Sequence, residues 1–131
     1  MNAFNGRDAV RGQSMVRAAD AMLRVLGGTE VVLRFATPGT GDTAVADDVP
    51  ISPVVVIPLS AASPGLRLRY DFLVSATAAA KLVESRAADS AEALFNSALG
   101  VLFQNRLLRI EGLAVELAGG VVCLHRITAG E

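Results

Sequence analysis

The chain has 131 residues, of which 52% are hydrophobic, 5% aromatic and 19% charged, and its formal net charge is −1. A chain of this length can bury a sizeable core, and we expect residues 1–131 to fold as a single domain. The near-neutral charge and the scarcity of aromatic rings exclude a general nucleic-acid-binding groove, and the single cysteine excludes an internal disulfide framework.

Apolar residues at three-to-four spacing predict an N-terminal helix over residues 7–26. The residues assigned to its apolar face are Met15, Ala18, Ala19, Met22, Val25 and Leu26, and those assigned to the opposite side are Arg17, Asp20 and Arg24. The Gly-Gly pair that follows is expected to end the helix.

A strand and a long loop are predicted next. Alternating apolar residues over 29–36 are typical of a strand. Residues 37–52 contain prolines, glycines and three aspartates, and we predict that they form a long acidic loop.

Two strands and a helical segment are predicted in the middle of the chain. Residues 54–59 are apolar on both sides, which predicts a short central strand. Residues 66–75 alternate clearly and are typical of a half-buried antiparallel strand. Residues 76–100 are expected to be helical in two pieces that break near residues 87–89, with the better-defined central helix at about 89–99 and the final glycine as its end.

The last third of the chain is predicted to be β-structure. Short strands are expected over residues 107–110 and 113–117, and Gly119 and Gly120 are expected to make a tight turn into a strand over 121–128. The predicted fold class is therefore α+β, with a mostly antiparallel sheet or a small, partly open barrel, an N-terminal helix, a central helix and a C-terminal β-hairpin.

No stretch carries a recognisable catalytic, cofactor or metal motif. Residues 39–43 resemble a phosphate-binding loop superficially, but they lack a nearby lysine and a following helix. Cys123 and His125 share one face of a predicted strand, without a third orienting group or further zinc ligands. We interpret Cys123 as a small core residue and His125 as an edge or interface residue, and expect no enzymatic activity, cofactor or metal.

The apolar excess points to protein–protein contacts. It comes from alanine, valine and leucine rather than from aromatic residues, and the mean hydropathy is +0.46. A net charge near zero removes the self-repulsion that keeps proteins apart. We therefore expect the chain to associate with copies of itself or with other proteins, while the codon bias of a GC-rich genome is the alternative explanation.

Charged residues offer a candidate interface. Arginine pairs bidentately with carboxylates across protein interfaces. We predict that an arginine-bearing face of one subunit meets the acidic loop of a neighbour, with an ordinary solvated surface as the alternative. The candidate interface comprises acidic residues of the loop and basic residues on or beside two strands: Asp42, Asp47, Asp48, Arg67, Arg69, Arg106 and Arg109.

Two C-terminal stretches resemble a known group of proteins. Residues 107–112, LLRIEG, and residues 119–127, GGVVCLHRI, resemble a C-terminal pattern in small structural proteins of tailed bacteriophages. The order of helix, strands, helix and hairpin is similar to that of head-closure (stopper) and tail-terminator proteins of the phage neck. The resemblance implies a virion structural protein that forms a ring at the head–tail junction or tail end, with residues 37–52 contacting the next ring.

The resulting expectation is a non-enzymatic homo-oligomer that binds other neck or tail structural proteins. We expect no specific nucleic-acid binding and no membrane span, and a location in the virion and, during assembly, in the host cytoplasm. The alternative is a small cytoplasmic ligand-binding or regulatory α+β domain that acts as a dimer. A deep apolar pocket between residues 66–75 and residues 90–99 would favour that alternative, and an enzyme that uses Cys123 and His125 is a third possibility.

Overall fold

The computed structural model describes residues 4–37, 46–59 and 68–131, and their side chains from residue 11 onward. The described chain is an α+β fold, as predicted. Its elements in chain order are α1 (Phe4–Val25), β1 (Thr29–Ala36), β2 (Ala46–Pro58), β3 (Arg69–Ser75), α2 (Ala76–Ser85), α3 (Ala91–Ser97), β4 (Ala98–Phe103), β5 (Arg106–Ala118) and β6 (Val121–Gly130).

The six strands form a closed antiparallel barrel in the order β1-β2-β3-β6-β5-β4. Strand β4 closes it, because Leu102 and Gly100 pair with Val32 and Arg34 of β1, while the other side of β4 pairs with β5. The prediction of a partly open barrel is thereby corrected. The sequence interpretation assigned the first part of β4 to a helix, and without this strand the sheet would have stayed open.

Gly100 lies inside β4 and does not end a helix. Helix α3 ends at Ser97, and Ala98 already has extended backbone angles of φ −72° and ψ 140°. A Cβ atom on Gly100 would lie 2.3 Å from the carbonyl oxygen of Leu108. Glycine in a strand commonly marks a close backbone approach, and here it lets β4 approach β5 closely.

Strand β2 is longer than predicted. It begins at Ala46, so residues 46–52, which we assigned to the acidic loop over 37–52, belong to the strand. The rest of that loop, residues 38–45, lies outside the described residues. Two aspartates and a proline, which strands disfavour, obscured the first half of β2 in the sequence.

The C-terminal hairpin is present as predicted, with one correction. The two short strands expected around residues 111–112 form the single strand β5, which carries an irregularity in register between Ile110 and Gly112. The tight turn at Gly119 and Gly120 separates β5 from β6.

Helices α2 and α3 lie at one end of the barrel. Helix α2 leaves the end of β3, and α3 leads into the start of β4, which is the same end because the strands alternate in direction. The predicted break between the two pieces is confirmed, and the Ser90 side chain caps α3 by accepting a 3.0 Å hydrogen bond from the Ala93 amide. Side chains from the helices and the barrel interior form one core, which includes Val31, Leu33, Phe35, Val54, Phe72, Val74, Leu82, Leu94, Phe95, Val101, Leu108 and Ile127.

Helix α1 packs mainly against β6. A Cβ atom on Gly12 would lie 2.2 Å from Cγ2 of Val121, so the small residue sets how closely the helix approaches the strand. Further along, the buried Asp20 carboxylate accepts hydrogen bonds from the hydroxyls of Ser75 (2.7 Å) and Thr77 (2.5 Å). Asp20 thus ties α1 to the junction between β3 and α2.

Replacing Asp20 with alanine is expected to lower the free energy of unfolding by about 1–3 kcal/mol, because two hydroxyls at a buried site would lose their acceptor. Urea unfolding followed by circular dichroism measures the change. Ser14→Ala, on the exposed side of the same helix, is the control and should leave stability nearly unchanged. Equal unfolding midpoints for Asp20→Ala and the unmodified protein would contradict the role of Asp20.

Candidate functional site

The described residues do not form a recognisable reaction centre. Across residues 4–37, 46–59 and 68–131, no group of three or more histidine, cysteine, aspartate or glutamate side chains could hold a metal ion. Cys123 is buried, which confirms the predicted core position, and its thiol lies 3.7 Å from the Val121 carbonyl oxygen. None of the helices within the described residues is long and apolar enough to cross a membrane.

Asp47 and Asp48, two predicted interface residues, both form ion pairs within the chain. Arg34 donates two hydrogen bonds to the Asp48 carboxylate, from Nε at 2.8 Å and Nη2 at 3.0 Å. These bonds lower the pKa of Asp48 below its ordinary value. Arg86 donates a 2.7 Å hydrogen bond to Asp47, and its guanidinium carbon lies 3.9 Å from the ring centroid of Phe35. Both carboxylates therefore have partners without a neighbouring subunit.

Two of the predicted arginines also form ion pairs within the chain. Nε of Arg69 donates a 2.9 Å hydrogen bond to Glu111 on β5, and Arg106 forms an ion pair with Glu131 near the end of the chain. These pairs link the strands around the barrel end opposite α2 and α3. Exposed pairs of this kind contribute little to stability, about 0–1 kcal/mol each.

The remaining predicted interface residues do not form a cluster that the structure describes. Arg109 is exposed on β5, whereas Asp42 and Arg67 lie outside the described residues. Among the members that the structure describes, no acidic residue of the predicted set is paired with a basic one. Contact between them across subunits stays a prediction.

A cleft of about 170 Å³ lies between α3 and the C-terminal hairpin. Strand β4 pairs with β5 only over residues 106–108, while β6 pairs with β5 as far as Ala118. Within the described chain, the second half of β5 therefore has a strand neighbour on one side only, and α3 occupies the other side. The cleft is lined by residues of α3, β5 and β6: Glu92, Phe95, Leu113, Ala114, Val115 and His125.

His125 lies on the same side of the sheet as the core residue Ile127. Its ring contacts Phe95 of α3 edge-on, with the centroids 5.6 Å apart and an angle of 66° between the planes. Burial lowers the pKa of His125 below its ordinary value of 6.5, because desolvation disfavours the charged imidazolium. At neutral pH the ring is uncharged, and the cleft is lined by both apolar and polar side chains.

The cleft is small for a metabolite. Small-molecule sites usually enclose about 300–1,000 Å³, whereas this cleft measures about 170 Å³. Its strand residues come from β5 and β6, whereas the pocket that we sought for a ligand-binding domain would lie against residues 66–75. Two wider surface depressions, of about 310 and 380 Å³, lie on either side of α2 and share the Lys81 side chain.

Large apolar side chains are exposed on the outer side of α1. The predicted apolar face of this helix is mostly not the buried one, because the helix contacts the barrel through Gly12, Val16, Ala19 and Leu23. A second stripe faces away from the barrel, and we call it the α1 stripe: Met15, Ala18, Met22, Val25 and Leu26. The side chains of its four large residues are 50–84% exposed.

A second exposed apolar group lies beside the cleft. Val115 is 48% exposed and Leu117 is 62% exposed on the second half of β5. The sequence predicted a short strand over residues 113–117 and assigned neither of its sides to the surface. The run of apolar residues was visible in the sequence, but the missing strand neighbour is known from the barrel alone. The α1 stripe and this strand edge, rather than the predicted charged residues, are the clearest candidate contact surfaces.

Comparison of the chain with protein-family models, with curated proteins and with solved structures found no match. The resemblance to phage head-closure and tail-terminator proteins therefore stays a prediction. Any function has to be argued from the geometry of the chain itself.

Lowering the pH from 7 to 5.5 is expected to reduce the free energy of unfolding. The unfolded chain, in which His125 has its ordinary pKa of about 6.5, takes up a proton before the folded chain does. This contribution is fully present above the unfolded pKa and is lost as the pH falls toward the lower folded pKa. Because His125 is the only histidine, a His125→Gln variant should show a flatter dependence in urea unfolding.

The titration of the His125 ring protons by nuclear magnetic resonance provides an independent check. The midpoint should lie below 6.5 in the folded protein. A midpoint at or above that value would show that the ring is not desolvated by α3 and the hairpin.

Proposed function

We propose that the chain is a structural protein of a phage or phage-like particle, which forms a homo-oligomeric ring at the head–tail junction or tail end as a head-closure or tail-terminator protein. One observation carries this proposal: exposed apolar side chains lie on two separate surfaces of the described chain, on the outer side of α1 and on the second half of β5. Exposed apolar patches on a small domain commonly mark contacts with other proteins.

The two surfaces lie on different parts of the barrel. Helix α1 contacts β6, β2, β3 and α2. The α1 stripe therefore lies on the side of the barrel that these elements form. The cleft opens beside the second half of β5, next to α3. A contact between two different surfaces joins subunits head to tail, and such contacts close into a ring when the rotation between subunits allows it.

The closed barrel suits a subunit that serves as a fixed spacer. Closure pairs the strands around the barrel and leaves few edges on which another chain could add a strand. Surface contacts would then fix the position of each neighbour, while the barrel itself keeps its shape.

The alternative function, a small ligand-binding or regulatory domain that acts as a dimer, would require a deep pocket. The cleft of about 170 Å³ beside His125 is smaller than such sites usually are. The two depressions beside α2 reach the lower end of the usual size range, but they are more open than the cleft, whereas a ligand site encloses most of its ligand. An enzyme that uses Cys123 would need an accessible thiol, and the thiol is buried.

Light scattering over a wide concentration range should report a mass that rises from that of the 13.6 kDa chain to a fixed multiple of it. Electron microscopy of the concentrated sample should then show closed rings of one size. A mass of 13.6 kDa at every concentration, or growth without a plateau, would contradict the proposal.

The particle role has its own test. Antibody labelling of purified particles that contain the chain should mark the neck or the tail end. Particles that lack the chain should accumulate as unjoined heads and tails or as tails of irregular length. Normal particles without the chain would show that the ring serves another purpose.

A further inference from the structure

We infer that neighbouring copies of this chain join head to tail, with the α1 stripe of one copy packed on the cleft between α3 and β5 of the next. The inference rests on the proposed ring and names the two surfaces that build it. A second copy of the chain occupies the cleft, because the spacing, the charge and the size of the α1 side chains fit it.

The spacing of the α1 stripe is that of a contact seam. Four members of the stripe, preceded by Arg11, follow one another at intervals of four, three, four and three residues: Arg11, Met15, Ala18, Met22 and Val25. This repeat places all five side chains along one side of a helix, as in helices that pack along their length against a partner. In the described chain this side faces away from the barrel.

The charge on α1 determines which partner surface it fits. Arg11, Arg17 and Arg24 are exposed and form no ion pair within the described residues. From residue 11 to the end of the helix the sole acidic residue is Asp20, which is buried. Two copies of α1 packed together would bring like charges close, which is unfavourable at an interface. The helix therefore fits an acidic surface better than a copy of itself.

The end of the molecule that carries the cleft has a small excess of negative charge. Glu84, Asp89 and Glu92 are exposed around α2 and α3 and have no ion-pair partner among the described residues, and the unpaired Lys81 on α2 offsets one of them. Glu92 also lines the cleft itself. The surface thus combines a cleft of mixed polar and apolar lining with the Glu92 carboxylate in it, and the apolar residues of the α1 stripe together with the arginines of that helix can complement both.

The size of the cleft matches one large apolar side chain. A cavity of about 150 Å³ takes a benzene-sized group, and the cleft measures about 170 Å³. Met15 is unbranched and half exposed, and methionine adapts well to irregular apolar gaps. With Met15 in the cleft, Arg11 lies one helical turn away and reaches toward Glu92, while Met22 and its neighbours pack across Leu117.

The α1 stripe cannot occupy the cleft of its own chain. Helix α1 is held on β6 by the close approach at Gly12 and by the buried hydrogen bonds of Asp20. Among the side chains that the structure describes, from residue 11 onward, none of those that line the cleft belongs to α1. The two surfaces can meet between different copies alone, so the two end copies of an open chain each keep one unused surface until the ring closes.

Two variants, each with one surface blocked, test the head-to-tail contact. Met15→Glu places a charge in the α1 stripe, and Val115→Arg places one at the edge of the cleft. Each variant alone should remain a 13.6 kDa monomer in light scattering, with dissociation constants at least tenfold weaker than those of the unmodified protein. An equimolar mixture should form a dimer of one copy of each and nothing larger, because one intact α1 stripe and one intact cleft remain.

Charge exchange provides an independent test of the pairing. Arg11→Glu and Glu92→Arg should each weaken assembly by about tenfold or more at low salt, and the double variant should restore it. Leu107→Glu is the matched control, since Leu107 is exposed and belongs to neither surface. Circular dichroism and urea unfolding should show that every variant is folded.

The outcomes separate the inference from the proposed function. If the unmodified protein assembles and the blocked variants assemble equally well, the ring stands and these two surfaces do not build it. If both variants are monomeric and their mixture forms no dimer, the contact is not head to tail. If the unmodified protein stays monomeric at every concentration, both the ring and the inference are overturned.

Discussion

The pairing of β4 with both β1 and β5 is the constraint on which the rest of the molecule depends. This short strand closes the barrel, and Gly100 allows its close approach to β5. Because β4 is short, it leaves the second half of β5 without a strand on that side, and α3 lies there instead. Barrel closure and the cleft beside His125 therefore both depend on β4. Its pairing closes the barrel, and its short length leaves the space beside β5 in which the cleft lies.

Much of the fold could be predicted from the sequence, because local periodicity and glycine pairs report on local structure. The N-terminal helix, the broken helical segment and the hairpin at Gly119 and Gly120 all followed from such signals. Strand β4 could not be predicted in this way. Its residues continue an apolar helical pattern. Glycine is needed at position 100 because β4 approaches β5 closely there. Although β5 is near in sequence, its distance from β4 is set by the barrel as a whole.

The candidate site was harder to predict than the fold. The sequence drew attention to charged residues, but Asp47 and Asp48 form ion pairs with arginines that are distant in sequence and adjacent in the barrel. The apolar face of α1 was identified as a periodic pattern, yet periodicity alone cannot tell a buried stripe from an exposed one. The choice depends on Gly12, where the helix contacts β6. A small residue and a buried carboxylate, rather than the methionines, decide which side of the helix faces the barrel.

The central claim is that this chain acts through two different surfaces that meet between copies. In a Cys123→Ala background, cysteines introduced together at Met15 and Val115 would test it directly under mild oxidation. We predict a series of cross-linked species at successive multiples of 13.6 kDa, ending at the ring size, while each single-cysteine variant stays monomeric. Dimers of either single variant, or monomers throughout, would contradict the account.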